Sequence, residues 1–183
     1  TDAEWLVPHF EKMLYDNAQL IRMCNWTYAA TNNDLFRIRI EETVAWLLRE
    51  MRVDGGAFAA SLDADSDGEE GLFYTWNREE VETAFGGDSA LFFKHFTLAS
   101  PHGWEGKPII CQTADQQSRS LIDHASLTPL TQKLLTAREQ RVRPGRDGKA
   151  LTDWNGLMIA ALTEAGRALQ RPDWITAAAQ AFS

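Results

Sequence analysis

Between Trp5 and Leu20 the chain reads Trp-Leu-Val-Pro-His-Phe-Glu-Lys-Met-Leu-Tyr-Asp-Asn-Ala-Gln-Leu, and no other stretch constrains the fold as strongly. Phe10, Met13, Leu14, Ala18 and Ile21 recur at steps of three and four residues, the period of an α-helix that buries one face. Pro8 suits the start of that helix, because the N–H it lacks would have no partner there. Between the apolar positions stand His9, Glu11, Lys12, Tyr15, Asp16 and Asn17. A solvated face needs only interchangeable charges, whereas a polar cleft at a helix end needs this variety of side chains. An amphipathic helix and a cleft wall both fit the pattern.

The same period predicts where the other helices lie. Helix one runs from about Phe10 to Ala30, and the polar turn Thr31–Asp34 leads to a second helix carrying Ile40, Val44, Leu47, Leu48 and Met51. Gly55-Gly56 stops it, so the pair reads as an αα-hairpin. Short aromatic-rich runs at Ala57–Leu62 and Gly71–Trp76 around an acidic loop predict a β-hairpin insertion over about 57–76. Asn77 is placed to cap a short helix with Glu79, Glu80, Val81 and Phe85, and Asp88 to cap another with Leu91, Phe92, His95 and Phe96. Pro101–Pro108 reads as loop and Ile109-Ile110 as a short strand. Thr128-Pro129 is expected to open a third long helix reaching about Val142. A fourth carries Trp154, Leu157, Met158, Ala161, Leu162, Ala165 and Leu169, and Pro172-Asp173 starts a fifth. The expected fold is mainly α, built of helical hairpins with a small β-hairpin insertion, in one domain over 1–183.

Composition excludes several function classes. A net charge of −8 argues against a nucleic-acid partner, which requires a basic face. No run approaches the ~18 apolar residues of a membrane span, so no membrane partner is expected. Cys24 and Cys111 have no metal or redox spacing; Cys24 continues the stripe of helix one, and a reducing cytoplasm is the expected location. The chain begins at Thr1 and ends at Phe182-Ser183 within a helical pattern, so both ends read as cut from something longer. Seven tryptophans recur through every segment, of which few are expected to face a ligand.

The acidic loop Asp63-Ala-Asp-Ser-Asp-Gly-Glu-Glu-Gly71 invites comparison with a calcium loop. Asp63, Asp65, Asp67 and Gly68 fit, but the position of the bidentate glutamate holds Tyr74, and the flanks read as strands. A solvated acidic turn fits better. His9, His95, His102 and His124 lack a zinc spacing, Ser61 lacks a nucleophile-elbow context, and Gly145 and Gly148 make no phosphate loop. No metal or cofactor is expected. Arg138, Arg141, Arg143, Asp147 and Lys149 offer charges to orient a ligand or to pair with the acidic loop. Asp153 is placed to cap the fourth long helix, and Asn155-Gly156, poor helix formers, imply a close approach or a polar contact near its start.

Three separated motifs carry a resemblance. They are His9-Phe-Glu-Lys-Met-Leu-Tyr-Asp-Asn17, Ser61-Leu-Asp-Ala-Asp-Ser66 followed by Gly71-Leu-Phe-Tyr-Thr-Trp76, and Trp154-Asn-Gly-Leu-Met-Ile159. In this order they resemble the thioredoxin-domain-containing proteins related to spermatogenesis-associated protein 20. The resemblance implies an N-terminal thioredoxin-like domain, absent here, and an (α/α)6 toroid of the six-hairpin glycosidase type, of which this chain would be an internal part. His102-Gly103, Pro108, Asp147-Gly148 and Asp153 depart from the family pattern, which leaves the Trp104–Lys107 loop and Gly148 without a role by resemblance.

In such toroids inner helix ends face a central cleft, so the expected function is a carbohydrate-active enzyme of glycoside hydrolase type. That chemistry takes two carboxyls, either ~5 Å or roughly 6.5–9.5 Å apart. The candidate catalytic residues are Asp16, Asp63 and His9. The candidate substrate-binding residues are Glu11, Lys12, Tyr15, Asn17, Asp65, Trp154 and Asn155, for a carbohydrate or another small polar ligand. A sugar epimerase or isomerase shares the toroid but needs several placed histidines, and only His9 lies in a motif. A non-catalytic binding or scaffold module is the third reading. A partial toroid also leaves apolar helix faces uncovered, so the chain is expected to self-associate.

Overall fold

The computed structural model describes residues 1–113 and 121–183. In chain order its elements are β1 (Lys12–Met13), α1 (Leu14–Thr31), α2 (Asp34–Glu50), β2 (Ser61–Leu62), β3 (Asp65–Ser66), β4 (Glu69–Glu70) and α3 (Arg78–Ala84). There follow α4 (Ala90–His95), β5 (Phe96–Ala99), β6 (Ile109–Gln112), α5 (Leu121–Arg138), β7 (Arg146–Asp147), α6 (Thr152–Ala168) and α7 (Pro172–Phe182). The chain is mainly α, with small antiparallel sheets. Its contacts form two compact units: unit 1 is Thr1–Phe10 with Ala64–Gly145, and unit 2 is Glu11–Asp63 with Arg146–Ser183.

Unit 2 grows from the helical hairpin read in the sequence. Asn32 takes the left-handed conformation (φ 52°) that ends α1, and Asn33 then caps α2 by accepting the Leu35 N–H. Leu14, Ala18 and Ile21 of α1 pack with Val44 and Leu47 of α2, with Met51 at its C-cap, and with Met158, Ala161, Leu162 and Ala165 of α6. Trp174 and Ala178 of α7 join the same core. Gly166 lets α7 approach α6, since a Cβ there would lie 2.9 Å from Ile175. Arg22 of α1 and Glu164 of α6 add a two-pronged ion pair at 2.8 and 3.0 Å.

Helix one starts later than its apolar period predicts, because Lys12-Met13 is drawn into a sheet. The order is β1-β2-β7, all antiparallel, with Lys12 opposite Leu62 and Met13 opposite Ser61, and Ser61 in turn opposite Asp147. A buried amide secures this sheet to α6. Asn155, 6% exposed, accepts the Phe58 N–H at 2.8 Å and donates to the Phe58 carbonyl at 3.0 Å, as a neighbouring strand would. It also donates to the Leu151 carbonyl at 3.0 Å. The polar contact implied by Asn155-Gly156 is therefore made to the protein's own backbone. Leu151 caps α6, so Asp153 lies inside the first turn and not at the cap.

Unit 1 corrects the expected β-hairpin. The strands are Asp65–Ser66 and Glu69–Glu70, joined by Asp67-Gly68 at φ 54° and 80°. Positive φ at both central residues is what a two-residue type I′ turn requires, and Asp-Gly is among its preferred pairs. Gly71–Trp76 is a turn and not a strand. The Arg141 guanidinium donates to the carbonyls of Leu72, Phe73 and Thr75 at 3.1, 3.2 and 2.6 Å, and it lies 3.9 Å from the Trp76 ring centre. Gly71 (φ 71°) sits so close under Phe10 that a Cβ would lie 2.7 Å from the ring.

The second core joins Trp76, Val81, Phe85, Phe92 and Phe96 to Leu127, Leu130 and Leu134 of α5. Asn77 and Glu80 form the capping box of α3, at 2.8 and 2.9 Å. The N-cap position of α4 is Ser89, not Asp88, and its side chain makes no capping hydrogen bond. Ile109-Ile110 is a strand as expected, but its partner β5 was not legible beforehand. Helix α5 spans Leu121–Arg138 and continues through exposed Pro129, which costs it one backbone hydrogen bond instead of opening it.

Glu80 is the electrostatic centre of unit 1. Burial alone would push its carboxyl up. The Lys107 ammonium at 2.6 Å, the Asn77 N–H and the Arg141 charge at 3.4 Å outweigh burial and hold it below the ordinary glutamate value. Burial lowers Arg141 in turn, and Glu80 opposes that shift.

Two tests follow from this packing. Asn155→Leu leaves both polar groups of Phe58 without partners, at roughly 1–3 kcal/mol each, so urea unfolding should show a loss of at least about 2 kcal/mol. A change below about 0.5 kcal/mol, the scale of an ordinary surface substitution, would contradict the clamp. Because the folded pKa of Glu80 is depressed, its stabilisation is full above the unfolded value near 4.5 and is lost as pH falls through the lower folded value. The stability difference between the native chain and Glu80→Gln should therefore shrink on acidification below about pH 4.5. A pH-independent difference would remove Glu80 from the acid response.

Candidate functional site

The β1-β2-β7 sheet of unit 2 gathers parts of separate motifs. Lys12 belongs to the first motif and Ser61-Leu62 to the second, and their pairing is antiparallel. Glu11 and Asp63 each follow directly on the Lys12–Leu62 pair, one residue outside the ladder. Directly opposed residues in such a pair have Cα atoms about 4.5–5.5 Å apart and side chains on one face. Alternation puts Met13, Ser61 and Asp147 on one face and Lys12, Leu62 and Arg146 on the other. Glu11 and Asp63 are both exposed.

The other candidates divide as follows. Asp16 is exposed in the first turn of α1, where a carboxylate complements the helix dipole. At about 100° per residue it stands on the opposite side of α1 from Leu14, Ala18 and Ile21. Tyr15 and Trp154 pack edge to face, with ring centres 4.8 Å apart, and join the starts of α1 and α6. Asn155 is committed to Phe58 and Leu151. His9 and Asp65 lie in unit 1; His9 is exposed, and Asp65 is opposite Glu70 in the hairpin. The side chain of His124 lies outside the described residues.

The basic loop is engaged locally. Arg143 pairs with Glu139, Lys149 with Asp147 at 2.9 Å, and Arg146 donates to the carbonyls of Glu50 and Arg52. The Lys149 hydrogen bonds lower the Asp147 carboxyl. Among the described residues no three of His, Cys, Asp and Glu are grouped as metal ligands would be.

Each unit has an open cavity. In unit 2, Lys12, Asn17, Glu42, Thr43 and Trp46 line about 240 Å³ between the start of α1 and the middle of α2. Two of these were expected from the first motif, and Glu42, Thr43 and Trp46 were not. Trp46 carried a usable signal, for it is a large aromatic residue standing off the apolar stripe of its helix. In unit 1, Glu69, Glu70, Trp104 and Glu105 with Gly103 and Gly106 line about 430 Å³. There the Trp104 ring packs on Phe10 with centres 5.3 Å apart, and its N–H donates to the Lys107 carbonyl at 2.8 Å.

No family model matches the chain. It is 29% identical to human spermatogenesis-associated protein 20 over 92% of its own length, and 28% identical to the rat protein of that name over 97%. A Caenorhabditis elegans protein named Uncharacterized protein B0495.5 is 28% identical over 94%. The matches cover 26%, 27% and 28% of these longer proteins, so the chain spans about a quarter of the relatives it resembles. The resemblance carried by the three motifs holds across nearly the whole chain, which is similar in sequence to spermatogenesis-associated protein 20.

Proposed function

We propose that the chain is part of a carbohydrate-active protein of glycoside hydrolase type, and that Glu11 and Asp63 are its carboxyl pair. The observation that carries this reading is the β1–β2 register, whose last pair is Lys12–Leu62. Continued by one residue on each strand, that register would oppose Glu11 and Asp63, at the Cα spacing of about 4.5–5.5 Å that opposed residues have. Such backbones bring carboxyls within reach of the ~5 Å separation used by retaining enzymes, where one acts as acid and base and the other as nucleophile. Asp65 and Glu70 are also opposed, but on a two-stranded hairpin. Asp63 follows a strand paired on both sides and anchored through Phe58 to Asn155, and catalytic pairs need that rigidity.

Within this proposal, α1–α2 and α6–α7 are hairpins of an (α/α)6 toroid; the packing of α1 against both α2 and α6 supports it. A cytoplasmic location is part of the same proposal, supported by Cys24 and Cys111 as free thiols. No helix among the described residues is long and apolar enough to cross a membrane. Self-association is proposed from α1, whose outward side carries Leu20, Met23 and Trp26 at 52%, 58% and 56% exposure. Light scattering should give a mass above one chain; a monomer at every concentration would contradict this.

A non-catalytic binding module is the second reading. Glu80, Asp147 and Asp173 each have their carboxyl held below its ordinary value, the opposite of what a general acid needs. A turnover screen with aryl glycosides, oligosaccharides and sugar phosphates separates the readings. The hydrolase reading expects Glu11→Gln and Asp63→Asn each to reduce turnover by about 10²-fold or more, with Asp16→Asn much milder. Full turnover in the Glu11 and Asp63 variants would remove the pair. Carbohydrate binding without turnover would favour the binding module.

A further inference from the structure

The unit 2 cavity contains side chains that neither the motifs nor the relatives assign, and their hydrogen bonds define what it can accept. Asn17 spends one amide N–H on the Met13 carbonyl at 2.8 Å, which leaves its carbonyl oxygen as an acceptor and its second N–H as a donor. Thr43 spends its hydroxyl proton on the Arg39 carbonyl at 2.7 Å, so its oxygen can only accept. Glu42 adds a carboxylate, to which Arg39 donates at 2.6 Å. Lys12 is the cationic donor of the lining, and Trp46 supplies an indole that packs partly against the core. The lining thus offers three acceptor oxygens, one amide N–H, one ammonium and one flat apolar ring.

A ligand with several hydroxyl protons and an apolar ring face matches that set. An anion is disfavoured, because three of the five lining side chains present acceptor oxygens. The cavity of about 240 Å³ also lies below the ~300–1,000 Å³ of sites for drug-sized molecules, so it suits one small ring and not a chain. We propose that this cavity binds a single neutral monosaccharide ring, with Asn17, Thr43 and Glu42 accepting from its hydroxyls, Lys12 donating to one, and Trp46 packing on its apolar side. This rests on the carbohydrate reading above and deepens it, adding Glu42, Thr43 and Trp46 as recognition residues apart from the carboxyl pair.

Saturation-transfer NMR and calorimetry with D-glucose, D-mannose, D-galactose and D-glucose 6-phosphate test it on the whole chain. At least one neutral sugar should bind, and Asn17→Leu should weaken it by about tenfold or more, the cost of an unmade buried hydrogen bond. Thr43→Val keeps the shape, removes one acceptor, and should weaken binding by about threefold or more with an unchanged unfolding midpoint. Equal binding to the native chain and both variants would overturn the assignment while leaving the carbohydrate reading standing. Binding of glucose 6-phosphate alone, or of none of the four sugars, would overturn it also. In that last case the turnover screen on larger glycosides decides separately whether the carbohydrate reading survives.

Discussion

The side-chain amide of Asn155 is the interaction on which unit 2 depends. It meets both backbone polar groups of Phe58 in a buried setting, where leaving either unpaired is costly. Phe58 lies three residues before β2, so fixing it to α6 fixes where β2 can run. β2 then pairs with β1 on one side and β7 on the other, and this holds the start of α1. Three stretches far apart in sequence are thereby locked together by one carboxamide. A residue early in a helix, where its intrinsic propensity is poor, is retained for what it does to a neighbouring segment.

The same sheet explains how one motif serves two faces. Residues of a strand alternate, so Glu11 and Lys12 cannot share a side. In the proposed reading Glu11 goes with Asp63, whereas Lys12 is paired with Leu62 and also helps line the cavity beside Asn17 and Trp46. The mixture of polar types that marks this stretch is therefore divided among a carboxylate face, a cavity and a ring packed on Trp154. Unit 1 is held differently. There the Arg141 guanidinium collects three carbonyls and one indole, and Glu80 collects two cations and a helix cap.

The helices were legible because period-3.6 burial repeats over many residues, as Leu14, Ala18 and Ile21 show. The sheets were less so, since strands of two residues are too short for alternation to appear. Gly71–Trp76 looked like a strand through its aromatics, but those rings serve the core and the cations of unit 1, and the turn's carbonyls are met by a side chain. Asp67-Gly68 was readable as a turn, and the pairing around it was not. Glu11 appeared in the sequence only as one charge among several, because its proposed opposition to Asp63 rests on the register of β1 and β2. Glu42, Thr43 and Trp46 were hidden for a related reason: their cavity is formed with residues about 30 positions away.

The central claim is that register, and it can be trapped directly. In a chain with Cys24 and Cys111 replaced by serine, Glu11→Cys with Asp63→Cys places two thiols at opposed positions of an antiparallel pair, within the ~4.4–6.8 Å Cα range that a disulfide spans. Mild oxidation should give near-complete intramolecular cross-linking, read as a mobility shift reversed by reductant. The comparison pair Asp16→Cys with Asp63→Cys tests the alternative partner. Efficient cross-linking of Glu11→Cys with Asp63→Cys, with little from the comparison pair, is the predicted result. No cross-link between positions 11 and 63, or preferential cross-linking of 16 with 63, would contradict the account.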